Sequence, residues 1–273
     1  MSVRNQRTRS GIRTAVAIAL LAIMLFPLYW MLNISLQSTG GTLTSSFFPK
    51  QPTLDGYRTA IQDQGRNLLT SITIAAGTVV ITLLVATPAA YALAQFRFRW
   101  INWALLAILM SQMIPGIVIA NGLYSVYERI GLLDSITGLI IANATAGVPF
   151  GILIMRSFML GIPPSLVEAA RVDGAGLVRA FLSIVVPISR NSLITVGLFA
   201  FIFGWSDFLY ALTLTTKGEI VPVTLGIYTY LGAHISDWSA VMATAMLGSL
   251  PAIVLLALAQ RYISAGVNSG AVK

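Results

Sequence analysis

The sequence predicts an all-α polytopic membrane protein with six transmembrane helices, and three observations lead to this prediction. Hydrophobic residues make up 56% of the 273-residue chain and charged residues only 10%, and the mean hydropathy is +0.83. Six apolar segments are long enough to cross a bilayer, and basic residues are unequally distributed between the two sides that these segments define. A soluble domain of this size could not cover its surface with so few charges.

Each predicted span has at least the roughly 20 residues that a helix needs to cross the hydrocarbon core. The spans are residues 14–36, 68–94, 102–126, 136–155, 192–214 and 240–259. Arginines precede the first span, as they do in a signal peptide. No small-x-small cleavage site follows it, however, and its core is long enough to span, so we interpret it as a transmembrane helix. Residues 1–273 are predicted to form one membrane domain.

The distribution of positive charge orients the spans, because cytoplasmic loops are enriched in lysine and arginine. With the N-terminus in the cytoplasm, twelve of the 17 basic residues lie on the cytoplasmic side. The five on the other side are Lys50, Arg58, Arg66, Arg129 and Lys217. The sequence therefore predicts cytoplasmic N- and C-termini, with the connection between spans four and five (residues 156–191) on the same side.

This connection, residues 156–191, carries the signals of a folded helical unit. Pro163 and Pro164 end the preceding span, and Ser165 stands three residues before Glu168, which is the spacing of a capping box. Gly174 can adopt the left-handed conformation that ends a helix, and residues 177–186 predict a second helix before Pro187. Two interpretations are open: an ordinary loop with a nucleated helix, or a rigid helix with small residues that docks on another protein.

The same connection resembles a known signature. "EAARVDGAGLVRAFLSIVVPISR" is similar to the loop of permease subunits of ATP-binding-cassette importers, whose pattern is EAA, three residues, Gly, nine residues and Ile-x-Leu-Pro. Val186 replaces the leucine before Pro187. "FPLYWMLNISLQ", "GLLDS" and the final "SGAVK" are similar to the carbohydrate branch, in the short six-span form of the maltose type. The resemblance covers nearly the whole chain.

The resemblance implies a function and a set of partners. The chain would be a multi-pass permease subunit in the bacterial cytoplasmic membrane, would form half of a sugar pore with a second homologous permease, and would be surrounded by lipid. A dimer of cytoplasmic ATP-binding subunits would bind ATP and Mg²⁺, and an extracytoplasmic binding protein would deliver the sugar.

The resemblance also implies contact residues for the ATPase. The coupling helix would use Glu168, Ala169, Ala170, Asp173 and Gly174. Glu168 could serve as a helix cap or form a salt bridge across the subunit interface. The C-terminal tail would reach the ATPase through Ser269, Gly270, Val272 and Lys273.

The sequence predicts no enzymatic chemistry in this chain. It contains no cysteine and one histidine, His234, so a metal site is not expected. Neither a G-x-x-x-x-G-K-[ST] phosphate-binding loop nor an H-E-x-x-H motif occurs. The basic residues follow the spans rather than one amphipathic element, so nucleic acid is not an expected partner.

The candidates for the translocation path are polar residues within spans, because such residues usually face a cavity or another helix. Span five contains Trp205, Ser206, Asp207 and Tyr210, and Asp207 is its only embedded acid. Asp207 could line a cavity or pair with an arginine of the second permease. Gln112, Asn121 and Asn143 are weaker candidates, since single amides often only bridge helices.

Three alternatives are open at this stage. The substrate could be glycerol phosphate or another polyol, although no basic residue is embedded in a span to bind a phosphate. A secondary transporter should show intramembrane ionisable residues and internal repeats, which this chain lacks apart from Asp207. A membrane scaffold would need neither an embedded acid nor a folded docking loop.

Overall fold

The computed structural model describes residues 3–38, 46–96, 99–233 and 237–270, and these residues form helices and no strand. The long helices are α1 (Val3–Ser35), α2 (Asp55–Gln95), α5 (Ile136–Met159), α9 (Arg190–Trp205) and α12 (Trp238–Gly270). Shorter helices are α3 (Ile101–Ser111), α4 (Gly116–Ile130), α6 (Pro164–Val172), α7 (Leu177–Ala180), α8 (Val186–Ile188), α10 (Leu209–Leu214) and α11 (Val223–Ala233). A π-helical turn, Phe181–Val185, joins α7 to α8.

Four helices are long and apolar enough to cross a membrane: α1, α2, α5 and the Trp238–Leu258 part of α12. Two further pairs reach that length only as bent spans. α3 and α4 meet at 94°, and the helix Leu177–Ile188 meets α9 at 79°. The described residues therefore hold four to six spans.

The structure differs from the predicted elements in four places. Predicted span three is broken at residues 112–115, where Pro115 lacks the N–H that a continuous helix would use. Predicted span five is broken at residues 206–208, between α9 and α10. The prolines and glycines of residues 37–67 predict little rigid structure there, yet α2 begins at Asp55. α11 was not predicted at all.

The chain divides into two compact units, Met1–Gly65 with Ile227–Ser249 and Arg66–Gly226 with Leu250–Lys273. In the first unit, the hydroxyl groups of Ser35 and Tyr57 lie 2.9 Å apart. A Cβ on Gly56 would come within 2.2 Å of Ser239 Oγ, so this contact requires a glycine.

The second unit contains two apolar clusters, one around each half of α5. Met155 and Met159 belong to the cluster around its C-terminal half, and Leu139 and Ala142 to the cluster around its N-terminal half. α5 packs closely on α2 through Gly147 and Gly151, where a Cβ would lie 2.5 Å from Thr82 Oγ1 and 3.0 Å from Ala86 Cβ, respectively. α5 therefore has two ends with separate packing environments, which we call the α6 end and the α4 end.

α9 packs closely on α2, and this packing predicts that substitution by alanine changes protein stability very differently at two glycines of α9. A Cβ on Gly204 would lie 2.9 Å from Ala75 Cα, whereas one on Gly197 would meet only side-chain carbons at 3.6 Å. We expect Gly204→Ala to destabilise the protein by about 1–3 kcal/mol, because backbone must move. Gly197→Ala should be neutral or stabilising by up to about 1 kcal/mol, because alanine favours the helix. Thermal unfolding of the purified protein in detergent measures both, and equal melting temperatures would contradict the packing argument.

Candidate functional site

α6 begins two positions earlier than the capping-box spacing predicts. Pro163 is the N-cap, Pro164 occupies the first helical turn, and no side chain caps the helix. Ser165 therefore lies inside α6, and the predicted capping box with Glu168 was wrong. The physical reason is that proline is pre-organised for the first helical position, where its missing N–H is not needed. Glu168 is exposed and forms no described hydrogen bond, so its carboxylate is available for a partner.

The end of α6 agrees with the prediction for Gly174. This residue has φ +85°, the left-handed region that glycine adopts at little cost. The N–H of Gly174 donates to the Arg171 carbonyl at 3.1 Å, and the N–H of Ala175 donates to the Ala170 carbonyl at 2.9 Å. This pair of bonds is a Schellman motif, which satisfies the last carbonyls of a helix. The glycine thus stops α6 sharply and turns the chain towards α7.

α6 is attached to the rest of the second unit by its apolar side. Val167 is buried, and it packs with Met159, Ile162 and Ala180 in the cluster at the α6 end of α5, with Ala170 partly buried against it. Four of the five predicted contact residues are exposed: Glu168, Ala169, Asp173 and Gly174. Ala170 differs, because it faces the cluster and so anchors the helix.

The exposed side of the connection also presents large apolar residues that were not predicted as contact residues. Val172 is 87% exposed and Val178 71% exposed. Leu166, Leu177 and Leu182 are exposed as well. Exposed apolar residues of this size typically mark a surface that contacts a protein or a membrane. Their occurrence in a loop predicted to lie outside the membrane was the signal that could have identified them.

Three hydrogen bonds from two side chains join the C-terminal ends of α2 and α5 to each other at the α6 end. Gln95 Nε2 donates to the carbonyls of Met159 (2.8 Å) and Ile162 (3.1 Å). In return, Arg156 Nε donates to the carbonyl of Leu93 at 3.0 Å. We call these two residues the Gln95–Arg156 clamp. The clamp satisfies carbonyls at helix ends that have no partner within their own helix, and it lies where the chain enters the α6 connection.

A widened helical turn lies between the connection and α9. Pro187 has no N–H to donate, and its ring would clash with a carbonyl one turn earlier in a regular α-helix. The preceding turn, Phe181–Val185, is π-helical, and the N–H of Val186 donates to the Phe181 carbonyl. The predicted second helix therefore continues past Pro187 to Ile188 instead of ending before it.

Asp207 lies in the break between α9 and α10 and serves as a hydrogen-bond acceptor for the start of α10. Its Oδ1 accepts from the N–H of Tyr210 at 3.0 Å, and its Oδ2 from the N–H of Ala211 at 3.2 Å. Asn143 Nδ2 of α5 donates to Oδ2 at 3.3 Å, and the Thr224 hydroxyl donates to the Asp207 carbonyl. An anion at a helix N-terminus is favourable because the first amides lack partners within the helix.

The other predicted path residues are distributed around this break. The buried Tyr210 has its hydroxyl 3.3 Å from that of Thr145, and the buried Trp205 stacks on Phe201 with centroids 5.7 Å apart. Ser206 is exposed, and its hydroxyl donates to the Ile202 carbonyl at 2.7 Å. Gln112 ends α3 and Asn121 lies on α4, both exposed. The structure thus brings Asp207 and Tyr210 together with Asn143, and places Gln112 and Asn121 on other elements.

Asp134 was not among the predicted site residues, although it is one of the better-bonded acids of the described chain. Its Oδ1 accepts from the N–H groups of Thr216 and Lys217, and its Oδ2 accepts from the Thr216 hydroxyl at 2.9 Å. Its own N–H donates to the Leu214 carbonyl at 3.0 Å. Hydrogen bonds from the Lys217 and Thr216 backbone lower the pKa of Asp134, so the carboxylate stays ionised at neutral pH. Its position in "GLLDS" was the available signal.

An open apolar groove of about 480 Å³ lies among α2, α9 and α12. Its lining includes Val80 of α2, Phe201 of α9 and Leu258 of α12, and it contains almost no polar surface. A sugar needs hydrogen-bond partners for its hydroxyl groups, so this groove has the wrong chemistry for a sugar. Among the described residues, no cluster of three or more His, Cys, Asp or Glu side chains could hold a metal ion.

Comparison with known proteins places this arrangement in a family. Residues 86–269 match the family described as "Binding-protein-dependent transport system inner membrane component". The chain belongs to this family. The match includes α6, the α9–α10 break and most of α12, and it confirms the resemblance seen in the EAA sequence. The protein is therefore a multi-pass inner-membrane component of a binding-protein-dependent transport system, and members of this family are transport permeases rather than enzymes.

Individual relatives agree with this assignment. The chain is 34% identical over 253 residues to the trehalose transport system permease protein SugB of Mycobacterium tuberculosis, covering 91% of this chain and 92% of SugB. It is 27% identical over 261 residues to the diacetylchitobiose uptake system permease protein DasC of Streptomyces coelicolor, covering 94% and 95%. A bacterial ABC transporter involved in import of the acidic polysaccharide alginate has the same fold, with TM-score 0.82, 22% identity and coverage of 96% and 99%.

Proposed function

We propose that this chain is the sugar permease subunit of an ATP-driven importer, in which it forms half of the pore with a second homologous permease. The observation that carries the proposal is α6: a short helix with a firmly packed inner side and an exposed outer side, in a family whose members depend on binding proteins. The related permeases named above serve trehalose and diacetylchitobiose, which supports a neutral sugar of two or more units.

In this proposal α6 lies in the cytoplasm and docks on one of two ATP-binding subunits, which bind ATP and Mg²⁺. The small side chain of Ala169 and the sharp turn at Gly174 permit close approach, and the exposed Val172 supplies apolar contact area. Because Val167 and Ala170 hold α6 on the ends of α2 and α5, a movement of α6 would be passed directly to two long helices.

The function is tested in proteoliposomes that contain this chain, the second permease and the ATPase, with the sugar-binding protein added. We expect uptake of labelled trehalose or a related oligosaccharide that requires both ATP and the binding protein. Ionophores that collapse proton and sodium gradients should leave uptake unchanged. Uptake that persists without ATP and stops with an ionophore would indicate a secondary transporter instead, and uptake of glycerol phosphate but no sugar would indicate the polyol alternative.

The exposed Glu168 carboxylate predicts an interface role that is separate from folding. We expect Glu168→Gln to weaken assembly with the ATPase by about 1.5–3 kcal/mol, the range for a charge-assisted hydrogen bond, and to reduce the salt dependence of assembly. The melting temperature of the isolated chain should not change, because Glu168 caps no helix. Glu128→Gln, the same change at an exposed residue of α4, is the control. A drop in melting temperature with unchanged assembly would contradict the prediction.

A further inference from the structure

α10 is a six-residue helix (Leu209–Leu214) that is held at both ends by aspartates from outside its own sequence. At its start, Asp207 accepts from the amides of Tyr210 and Ala211. At its end, the N–H of Asp134 donates to the Leu214 carbonyl, and the Asp134 carboxylate accepts from the backbone N–H groups of Thr216 and Lys217. A helix this short would not persist alone in water or in lipid. Its geometry therefore depends on these two carboxylates and on its packing.

The packing of α10 joins it to α4. Ala120 and Tyr127 of α4 share one buried cluster with Tyr210, Ala211 and Leu214. Both α4 and α10 follow a break in the chain, at residues 112–115 and 206–208. They are thus two half-helices packed on each other at the α4 end of α5, which is the opposite end of α5 from the α6 connection.

Asp134 fastens the ends of these two half-helices. It lies in the connection between α4 and α5, and it bonds to residues 82 and 83 positions later in the chain. Its φ of +51° is the one positive value for a non-glycine residue in the described part of the chain. This conformation is sparsely populated outside glycine and persists where the surroundings hold it; here Leu214, Thr216 and Lys217 provide the bonds that hold it.

From this geometry we propose that Asp134 is a positioning residue for transport, which ties the α4–α5 connection to residues 215–217 so that α4 and α10 move as one body. The inference rests on the proposed function, in which the α6 end receives the motion of the ATPase. The half-helices α4 and α10, at the α4 end of α5, must then move together to close or open the translocation path. If α4 and α10 were free to move separately, ATP would be hydrolysed without a matching movement of sugar.

The test compares Asp134→Ala, Asp134→Asn and Glu219→Ala in the reconstituted complex. The measured quantity is sugar taken up per ATP hydrolysed, normalised to the amount of assembled complex. We expect the ratio to fall at least fivefold in Asp134→Ala. It should stay within about twofold of wild type in Asp134→Asn, because the amide oxygen can still accept from both backbone N–H groups. Glu219→Ala removes an exposed acid of the connection after α10 and should leave the ratio unchanged.

The possible outcomes separate this inference from a purely structural role. If Asp134 only stabilises the fold, Asp134→Ala will reduce the amount of assembled complex but leave the ratio at the wild-type value, which overturns the proposal. A ratio in Asp134→Asn as low as in Asp134→Ala also overturns it, because the acceptor pattern would then be irrelevant. Should Asp134→Ala not assemble, Asp134→Gly removes the carboxylate while keeping the positive φ at little cost, and a ratio equal to wild type then counts against the proposal. Absence of uptake by the wild-type complex would instead reject the proposed function.

Discussion

Gly174→Ala is expected to reduce binding-protein-stimulated ATP hydrolysis and sugar uptake of the reconstituted complex by about tenfold. Gly174 has φ +85°, and a Cβ at this position would have no neighbouring atom within 4 Å, so alanine would meet no steric obstacle there. The cost is confined to the backbone, because a left-handed conformation costs a residue with a Cβ roughly 1–2 kcal/mol. A penalty of about 1.4 kcal/mol lowers the equilibrium constant for the docking-competent loop about tenfold.

Gly176→Ala is the matched control for this effect. Gly176 lies two residues away in the same connection, has equal space for a Cβ, and has φ −66°, which alanine adopts without strain. We expect its uptake and ATP hydrolysis to stay within about twofold of wild type. Equal loss in both variants would mean that the loop tolerates no added side chain at all, and that the left-handed turn of Gly174 is not the decisive feature.

Gln95→Glu is expected to lower the amount of sugar taken up per ATP hydrolysed more than Gln95→Ala does. In the Gln95–Arg156 clamp the side-chain amide donates to the carbonyls of Met159 and Ile162. Alanine removes these two bonds. The Met159 carbonyl keeps the N–H of Ile162 as a donor at 3.2 Å, whereas the Ile162 carbonyl loses its described partner, at about 1–3 kcal/mol. Glutamate keeps the size of the side chain but directs carboxylate oxygens at two carbonyl oxygens, which adds repulsion. With the clamp lost, α6 is joined to α2 only through the apolar cluster, so less of its movement reaches α2, and we expect hydrolysis to continue while uptake falls about tenfold.

The controls for the clamp use the same chemistry at other positions. Gln62→Glu changes an exposed glutamine of α2 and should leave uptake per ATP unchanged. Arg156→Lys keeps the charge but loses the Nε–H that bonds Leu93, so it should show a smaller loss of the same kind. If Gln95→Glu and Gln62→Glu gave equal uptake per ATP, the clamp would have no part in coupling. Thermal unfolding of the same variants separates loss of coupling from loss of fold.

The long apolar helices could be predicted from the sequence, because hydropathy summed over about 20 residues decides whether a segment enters lipid. α1, α2, α5 and the first part of α12 all follow that rule. The breaks could not be predicted in the same way. The bend at residues 112–115 and the break at residues 206–208 lie within continuous apolar stretches, so they leave the summed hydropathy unchanged. Pro115 marks one of them, but Pro88 and Pro149 lie inside unbroken helices.

The same distinction holds for the candidate site: features that depend on neighbouring residues could be predicted, and features that depend on distant contacts could not. The EAA connection was predictable because its signals are local: Gly174 ends α6 by a conformation that depends on its own missing Cβ. The start of α6 was not predictable in this way. The sequence offers both a capping-box spacing and a proline for the first helical turn, and in the structure Pro164 occupies that turn without a side-chain cap. The path assignment for Trp205, Ser206, Asp207, Tyr210, Gln112 and Asn121 stays a prediction. Of the tail, Ser269 and Gly270 lie at the end of α12, while Val272 and Lys273 lie outside the described residues.

The sequence by itself determined the class of molecule, a helical membrane permease, because composition, span length and a contiguous motif are properties of neighbouring residues. Only the tertiary structure decided what the acids do. The carboxylate of Asp207 accepts a hydrogen bond from Asn143, 64 positions away in the chain, and that of Asp134 accepts one from Thr216, 82 positions away. A carboxylate takes its role from the donors that surround it, and folding alone brings donors so distant in the chain to the ends of α10.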